Sequence, residues 1–510
     1  MTTAASAALT IDSTALALDP GTSAPDVPML IGGDWVTAVA GEWIDVVSAG
    51  QRSLTLARVP RGRDEDADRA VKAARAAFPA WRSLHFKERQ KLLLQVADAL
   101  ADAAEELSLM TARDTGNALR TQARPESQTL VDLFRYFGGI AGEFKGVTLP
   151  AGDGQLQYTR REPLGVVAGI LPWNSPLMIA GFKTPAALAA GNTIVLKAAE
   201  DAPLTILKMA EIAGRFLPPG VLNVVTGYGQ EIGEALVQHP GVDKVSFTGS
   251  TPVGRHVASA AGERLAHVSL ELGGKSPSIV FPSAASDPAR VDALTSNLLL
   301  SARFARQGQS CTAGSRLFIH TDVYDQVLEA VAAKAGAMTV GDPLDETTDM
   351  GAIINEKQFD RIRGYISDGK AQDGVKLALD CSENIPTGLD GYFQGPTIFS
   401  MGSNDWRVAR EEIFGPVLVA IPFSDADEAI RMANDSHYGL AAYVWSNDLN
   451  EALDAAHRIE SGWVQVNQGG GQVVGQAYGG YKSSGIGREV SLEGAMEGFT
   501  QTKQINIKIG

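Results

Sequence analysis

The chain has 510 residues, of which 45% are hydrophobic and 20% charged, a balance that excludes fibrous and low-complexity proteins and exceeds what one core holds, so two or three domains are expected. The formal net charge of −15 argues against a nucleic-acid or anionic-membrane partner, each of which needs a basic patch, but leaves room for a local basic cleft. Two cysteines, Cys311 and Cys381, are too few for a disulfide framework or a structural zinc site, so no metal is expected and a reducing, cytoplasmic setting follows.

Met1 to Asp26 is rich in Ala, Thr and Ser and has no Lys or Arg, which fits a disordered tail better than a targeting signal. Order is expected to begin at Met29–Trp35. Ala67, Ala70, Val71, Ala74 and Phe78 recur at helical spacing from Asp64, and Pro79 is expected to end that helix. A longer helix is expected from about Lys87 to Ala112, carrying Leu92, Leu93, Val96, Leu100 and Ala103 on one face. No apolar run approaches the roughly 20 residues of a membrane span, so no membrane partner is expected.

Gln155–Glu162 and Gln504–Ile509 mix polar and apolar residues as half-exposed strands do, and together suit a small added sheet that meets another subunit. Between them, from Leu164, strands and helices alternate. Val166–Leu171, Thr193–Leu196, Val221–Val225 and Lys244–Phe247 read as buried strands, with helices near 176–190, 203–216 and 230–238. This βαβ repetition predicts a doubly wound sheet, which binds ligands at the carboxyl ends of its strands. No Gly-x-Gly-x-x-Gly follows any of these strands. Phe247–Gly254 instead sets Gly249, Ser250 and a helix start where free amides meet a phosphate, although the same residues make an ordinary helix N-terminus.

Four features could carry chemistry. Cys311 lies among small, flexible residues (Gly308, Ser310, Ala313, Gly314), as a reactive thiolate would, or as a small buried hydrophobe would. Glu271 ends a short apolar strand beside Gly273 and Gly274; burial would make it a general base, and pairing with Lys275 is the alternative. Asn174, at another strand end, offers an amide to an oxyanion or caps a helix. Lys197 and Glu200 form either an exposed ion pair or a contact for ribose hydroxyls.

These motifs, followed by Glu411–Val417 and Gly479–Glu489, occur in an order that resembles the NAD(P)-dependent aldehyde dehydrogenase superfamily from about Met29 to the C-terminus. The resemblance implies an α/β fold with a Rossmann-like doubly wound cofactor domain, a second α/β catalytic domain and a small β extension for oligomerisation. Residues 1–26 would be the tail, 27–140 and 164–272 the NAD-binding domain, 273–482 the catalytic domain, and 141–163 with 483–510 the oligomerisation segments of a homodimer or homotetramer. It implies that Cys311 attacks an aldehyde, that Asn174 and the Cys311 amide hold the oxyanion, and that Glu271 activates the water that hydrolyses a thioester. Trp173, Lys197, Glu200, Gly249, Ser250, Glu412 and Phe414 match cofactor contacts, and Lys183 and Glu489 match positions linked to the base. Glu200 favours NAD over NADP, because its carboxylate would repel a 2′-phosphate.

Two departures stand out. Glu271 and Cys311 are 40 positions apart, several more than the family pattern implies, and the surplus is expected around Ser283–Val291. Ser175, Gly469 and Gln472 replace frequent aromatics while Phe182 and Tyr478 remain, which implies a wider, more polar entrance with no fixed cation for a carboxylate. A CoA-acylating relative and a non-catalytic module are the competing readings; Glu271 weighs against the first, and the presence of all the expected catalytic residue types against the second.

Overall fold

The computed structural model describes residues 23–383, 386–400 and 402–509, and two large α/β layers organise it. The first is an eight-stranded sheet in the order Asp34–Val36, Met29–Ile31, Leu222–Val225, Thr193–Lys197, Val166–Ile170, Lys244–Thr248, His267–Glu271 and Gly485–Ile486. Its five central strands are parallel. Four of the five are buried along their whole length, which is why they read as largely apolar rather than alternating. Alternate residues serve opposite layers. Val166, Ala168, Val195 and Val245 meet the helices Asp64–Ser83 and Thr251–Glu263, whereas Val167, Ile194, Leu196 and Val224 meet Pro176–Ala190 and Leu204–Gly214.

The chain winds outward from Val166–Ile170 to Leu222–Val225, then returns to place Lys244–Thr248 on the other side. Chain direction therefore diverges between Val166–Ile170 and Lys244–Thr248, and a crevice opens beyond their carboxyl ends. The second sheet has seven strands, in the order Lys376–Asp380, Thr397–Ser400, Val417–Phe423, Arg316–His320, Pro277–Val280, Ala441–Trp445 and Trp463–Val466. All are parallel except the first. A three-stranded sheet joins Thr500–Lys508 to Gln155–Pro163 and Thr148–Leu149, pairing the two polar strands expected to meet.

Several boundaries differ from the sequence reading. Pro79 lies inside the helix Asp64–Ser83. A proline in a helix interior costs roughly 3 kcal/mol. Here Trp81, beyond it, is 1% exposed and donates from Nε1 to Leu188 O at 3.2 Å, so packing holds the last turn. The long helix divides at Ala103 (φ −98°, ψ 10°) into Phe86–Asp102 and Ala104–Thr115, with no Gly or Pro to mark the break. The tail expected to reach Asp26 already joins the fold at its end, since Asp26 bridges Arg58 at 2.6 Å; residues 1–22 lie outside the described residues.

The segment 483–510 also divides. Gly485–Ile486 pairs with His267–Glu271, and Leu492–Phe499 docks on the first layer, where Asn192 Nδ2 donates to Phe499 O at 2.9 Å. Only Thr500–Lys508 belongs to the small sheet, because Leu492–Phe499 carries the buried face. Ser283–Val291 runs from the short turn Pro282–Ala285, whose two alanines are buried, into the first turn of the helix Pro288–Ala302, and is exposed between 286 and 290. Among the described residues no helix is long and apolar enough to cross a membrane.

Candidate active site

The crevice is a cavity of about 1040 Å³ between the two sheets, lined by Cys311, Glu271, Asn174, Glu412, Arg306 and Tyr478 among others. Backbone geometry builds the cysteine loop. Gln307 (φ 51°) and Gly308 (φ 66°) are both left-handed, and a Cβ on Gly308 would lie 2.0 Å from Gly415 O. Only glycine fits there. Gly274 plays a similar part, since its Cβ would lie 2.3 Å from Cys311 O. Side chains tie the loop down: Gln307 Nε2 donates to Gly116 O at 3.0 Å, and Gln309 Oε1 accepts from Ile354 N at 3.2 Å.

Cys311 is partly exposed to the cavity, yet protein surrounds it closely enough that desolvation pushes its thiol up to about 11. Tyr478 Oη lies 3.4 Å from Sγ and opposes that shift, the charges of Glu412 and Glu271 add to it, and Arg306 opposes it. Asn174 Nδ2 donates to Gln309 O at 2.9 Å, which puts the amide on the cysteine loop and leaves its second N–H unspent. It does not cap the helix Pro176–Ala190. Glu126 Oε1 does so by accepting from Leu177 N at 2.9 Å and Met178 N at 3.3 Å.

Glu271 is 4% exposed, and its Oε2 has no hydrogen-bond partner among the described residues. Burial, reinforced by the charge of Glu489, holds its carboxyl well above the usual carboxylate range, against Lys183 and Arg488. Room for it comes from Gly479, whose Cβ would lie 2.9 Å from Oε1. The alternative partner Lys275 forms no ion pair with it among the described residues; burial pushes that amine down to about 7. Behind Glu271, Lys183 Nζ bonds Glu489 Oε1 and Ser246 Oγ, both at 2.9 Å, and Ser246 Oγ donates to Glu489 Oε1 at 3.1 Å.

On the opposite wall, Lys197 and Glu200 form an ion pair in which the lysine side chain is buried, so the exposed-pair alternative fails. Burial raises the Glu200 carboxyl, but Lys197 outweighs it and the pKa falls below the usual value. Gly249 and Ser250 stand at the start of the helix Thr251–Glu263, where no side chain caps the first amides. Glu412 Oε1 accepts from Gly274 N at 3.0 Å, and burial pushes its carboxyl up to about 7. Phe414 sits at φ 60°, a strained value for an aromatic residue, held by Gln358 Nε2 donating to its carbonyl at 2.8 Å; its ring meets Trp173 edge-on at 5.4 Å.

The cavity wall corrects one expectation. Cations do line it, and Arg303 and Arg306 stand on the same side as the cysteine loop. Arg306 donates to Gln122 Oε1 at 2.6 Å and Ser175 Oγ at 2.7 Å, while Arg303 holds Tyr443 Oη at 3.1 Å and Gly470 O at 2.8 Å. Their position just before the cysteine loop was the available signal. Ser246, Glu126 and the hydroxyl of Tyr478 carried none, because only the tertiary fold brings them to the site.

The structure thus brings a thiol, a desolvated carboxyl and a side-chain amide to one crevice of a doubly wound sheet. The model of the aldehyde dehydrogenase family matches residues 35–505, and the chain belongs to that family. It is 41% identical over 494 residues to a hydroxyisobutyraldehyde dehydrogenase of Mycolicibacterium austroafricanum, covering 96% of this chain and 95% of that one. An acetaldehyde dehydrogenase of Pseudomonas aeruginosa is 39% identical, covering 93% of each. Among solved structures, the NAD+ complex of a Bacillus cereus aldehyde dehydrogenase superposes with a TM-score of 0.91 at 36% identity, over 95% of this chain and 97% of that one.

Proposed function

We propose that this protein oxidises an aldehyde to the carboxylic acid with NAD, through a thioester on Cys311 that water hydrolyses. The observation that carries the reading is that Cys311, Glu271 and the Asn174 amide face one cavity, with Asn174 bonded to the cysteine loop. Cys311 Sγ attacks the aldehyde carbon, and the oxyanion of the thiohemiacetal receives the free N–H of Asn174 and the backbone N–H of Cys311. That backbone amide has no hydrogen-bond partner among the described residues. Oxidation leaves a thioester, a good acyl donor, so one difficult step becomes two easier ones. Glu271 takes a proton from the hydrolytic water; its raised basicity suits that task.

The residues fit NAD. The uncapped helix start at Ser250 suits the pyrophosphate, Lys197 and Glu200 suit the adenosine ribose, and the Glu200 carboxylate disfavours a 2′-phosphate. When bound, NAD supplies the hydride acceptor. Glu412 and Phe414, which line the same cavity, would hold its nicotinamide end; the bound NAD+ of the Bacillus cereus relative supports NAD as the cofactor. Lys183 and Glu489 fix the charge around Glu271. Residues 27–140 and 164–272 then serve as the cofactor domain and 273–482 as the catalytic one. Thr500–Lys508, an edge strand, would meet a second copy in a homodimer or homotetramer. NADH production from an aldehyde panel tests the proposal. Turnover is expected for the wild type and not for Cys311→Ala; activity that survives the substitution overturns it.

A further inference from the structure

We infer that Tyr478 is a further catalytic residue: its phenol, 3.4 Å from Cys311 Sγ, donates the hydrogen bond that sustains the attacking thiolate. This rests on the proposed role of Cys311 as nucleophile.

Three observations carry it. First, the phenol is fixed in place. Tyr478 is 2% exposed, its ring packs against Phe182 at 5.7 Å and Trp463 at 6.0 Å, and its backbone exchanges hydrogen bonds with Glu489 at 3.0 and 2.7 Å. Second, the hydroxyl has no other hydrogen-bond partner among the described residues. A buried hydroxyl left unpartnered costs free energy, so this one is committed to the sulfur. Third, the sulfur needs a donor. Burial pushes the thiol up to about 11, so at neutral pH the neutral form dominates. Of the described groups facing it, Glu412 and Glu271 oppose ionisation, whereas the Tyr478 hydroxyl and the Arg306 charge favour it.

Tyr478 acts as a donor and not as a base. Burial holds its phenol well above 10, and Cys311, Glu271 and Tyr443 raise it further, so its proton stays on oxygen while the thiol proton leaves to solvent through the cavity. Phenylalanine would keep the ring contacts and lose the donor. The nearby polar tether of Arg306 to Gln122 and Ser175 would be untouched.

The test uses the full chain in a Cys381→Ser background, where Cys311 is the sole thiol. Thiolate absorbance and iodoacetamide alkylation are followed against pH, with and without Tyr478→Phe. The substitution is expected to raise the titration midpoint and cut the thiolate fraction at a fixed pH below it by about tenfold, as loss of a hydrogen bond to a charged group does. Alkylation should fall by less, because a more basic thiolate is the better nucleophile. Melting temperature and NAD binding should not change. An unmoved or lowered midpoint overturns the inference, even if Cys311→Ala abolishes turnover and so supports the nucleophile itself. Turnover by Cys311→Ala would instead remove the reading on which the inference stands. Should Tyr478→Phe not fold, 3-fluorotyrosine at 478, a stronger acid and donor, is expected to lower the midpoint; no movement overturns the inference equally.

Discussion

In the proposed mechanism, Asn174→Ala removes the side-chain half of the oxyanion site and little else. The backbone carbonyl of Asn174 still accepts from Asn117 Nδ2 at 3.0 Å, and the neighbouring helix keeps its Glu126 cap. The bond lost from the resting protein is Nδ2 to Gln309 O at 2.9 Å, which is worth about 1 kcal/mol of stability. In the reaction the loss is larger, because one of two unspent donors is removed where charge develops, and such a donor supplies about 10²–10³ in rate. The expected result is a fall in kcat of that size, with NAD binding unchanged and the melting temperature lowered slightly. Asn174→Asp, of the same shape but with a repelling carboxylate, should be at least as slow. Either variant turning over at the wild-type rate refutes the oxyanion role.

With Glu271 as the proposed base, its raised carboxyl makes deacylation depend on pH in one direction: only the ionised form accepts a proton, so the rate falls as pH falls through the raised pKa. The acid limb of kcat is therefore expected above the ordinary carboxylate range, and a limb near pH 4 to 5 would contradict the assignment. Glu200→Gln should raise kcat/KM with NADP relative to NAD by about tenfold or more, read from initial rates with each cofactor; an unchanged ratio removes Glu200 from the ribose site. Lys183→Met breaks an ion pair whose side chains are 0% and 2% exposed, and is expected to destabilise the protein by about 3–5 kcal/mol. Adding Glu489→Gln should recover part of that loss in denaturant unfolding, and a double variant less stable than the single one contradicts the pairing.

The parallel core was legible because strands covered on both faces are apolar along their middles, as Val166–Ile170 and Ile194–Leu196 are. Cys311, Glu271 and Asn174 could be named because each sits beside glycines or at a strand end, and the structure brings them to one cavity. What escaped the reading depends on distant partners. Trp81 carries its helix past Pro79 through packing with Leu188, which no local pattern records. Leu492–Phe499 docks on the first layer although its neighbour Thr500–Lys508 belongs elsewhere. Arg306 was visible as a cation, but its tether to Gln122 and Ser175 spans more than a hundred positions of chain. The Tyr478 hydroxyl reads as one more aromatic until it is found against Cys311, 167 positions away.

Covalent catalysis by Cys311 is tested most directly by trapping the acyl-enzyme. Glu271→Gln should form the thioester and hydrolyse it slowly, giving a burst of NADH close to one per active site. Mass spectrometry of the quenched protein should then place the acyl mass on the peptide that contains Cys311. A burst without that adduct, or an adduct on another residue, would contradict the account.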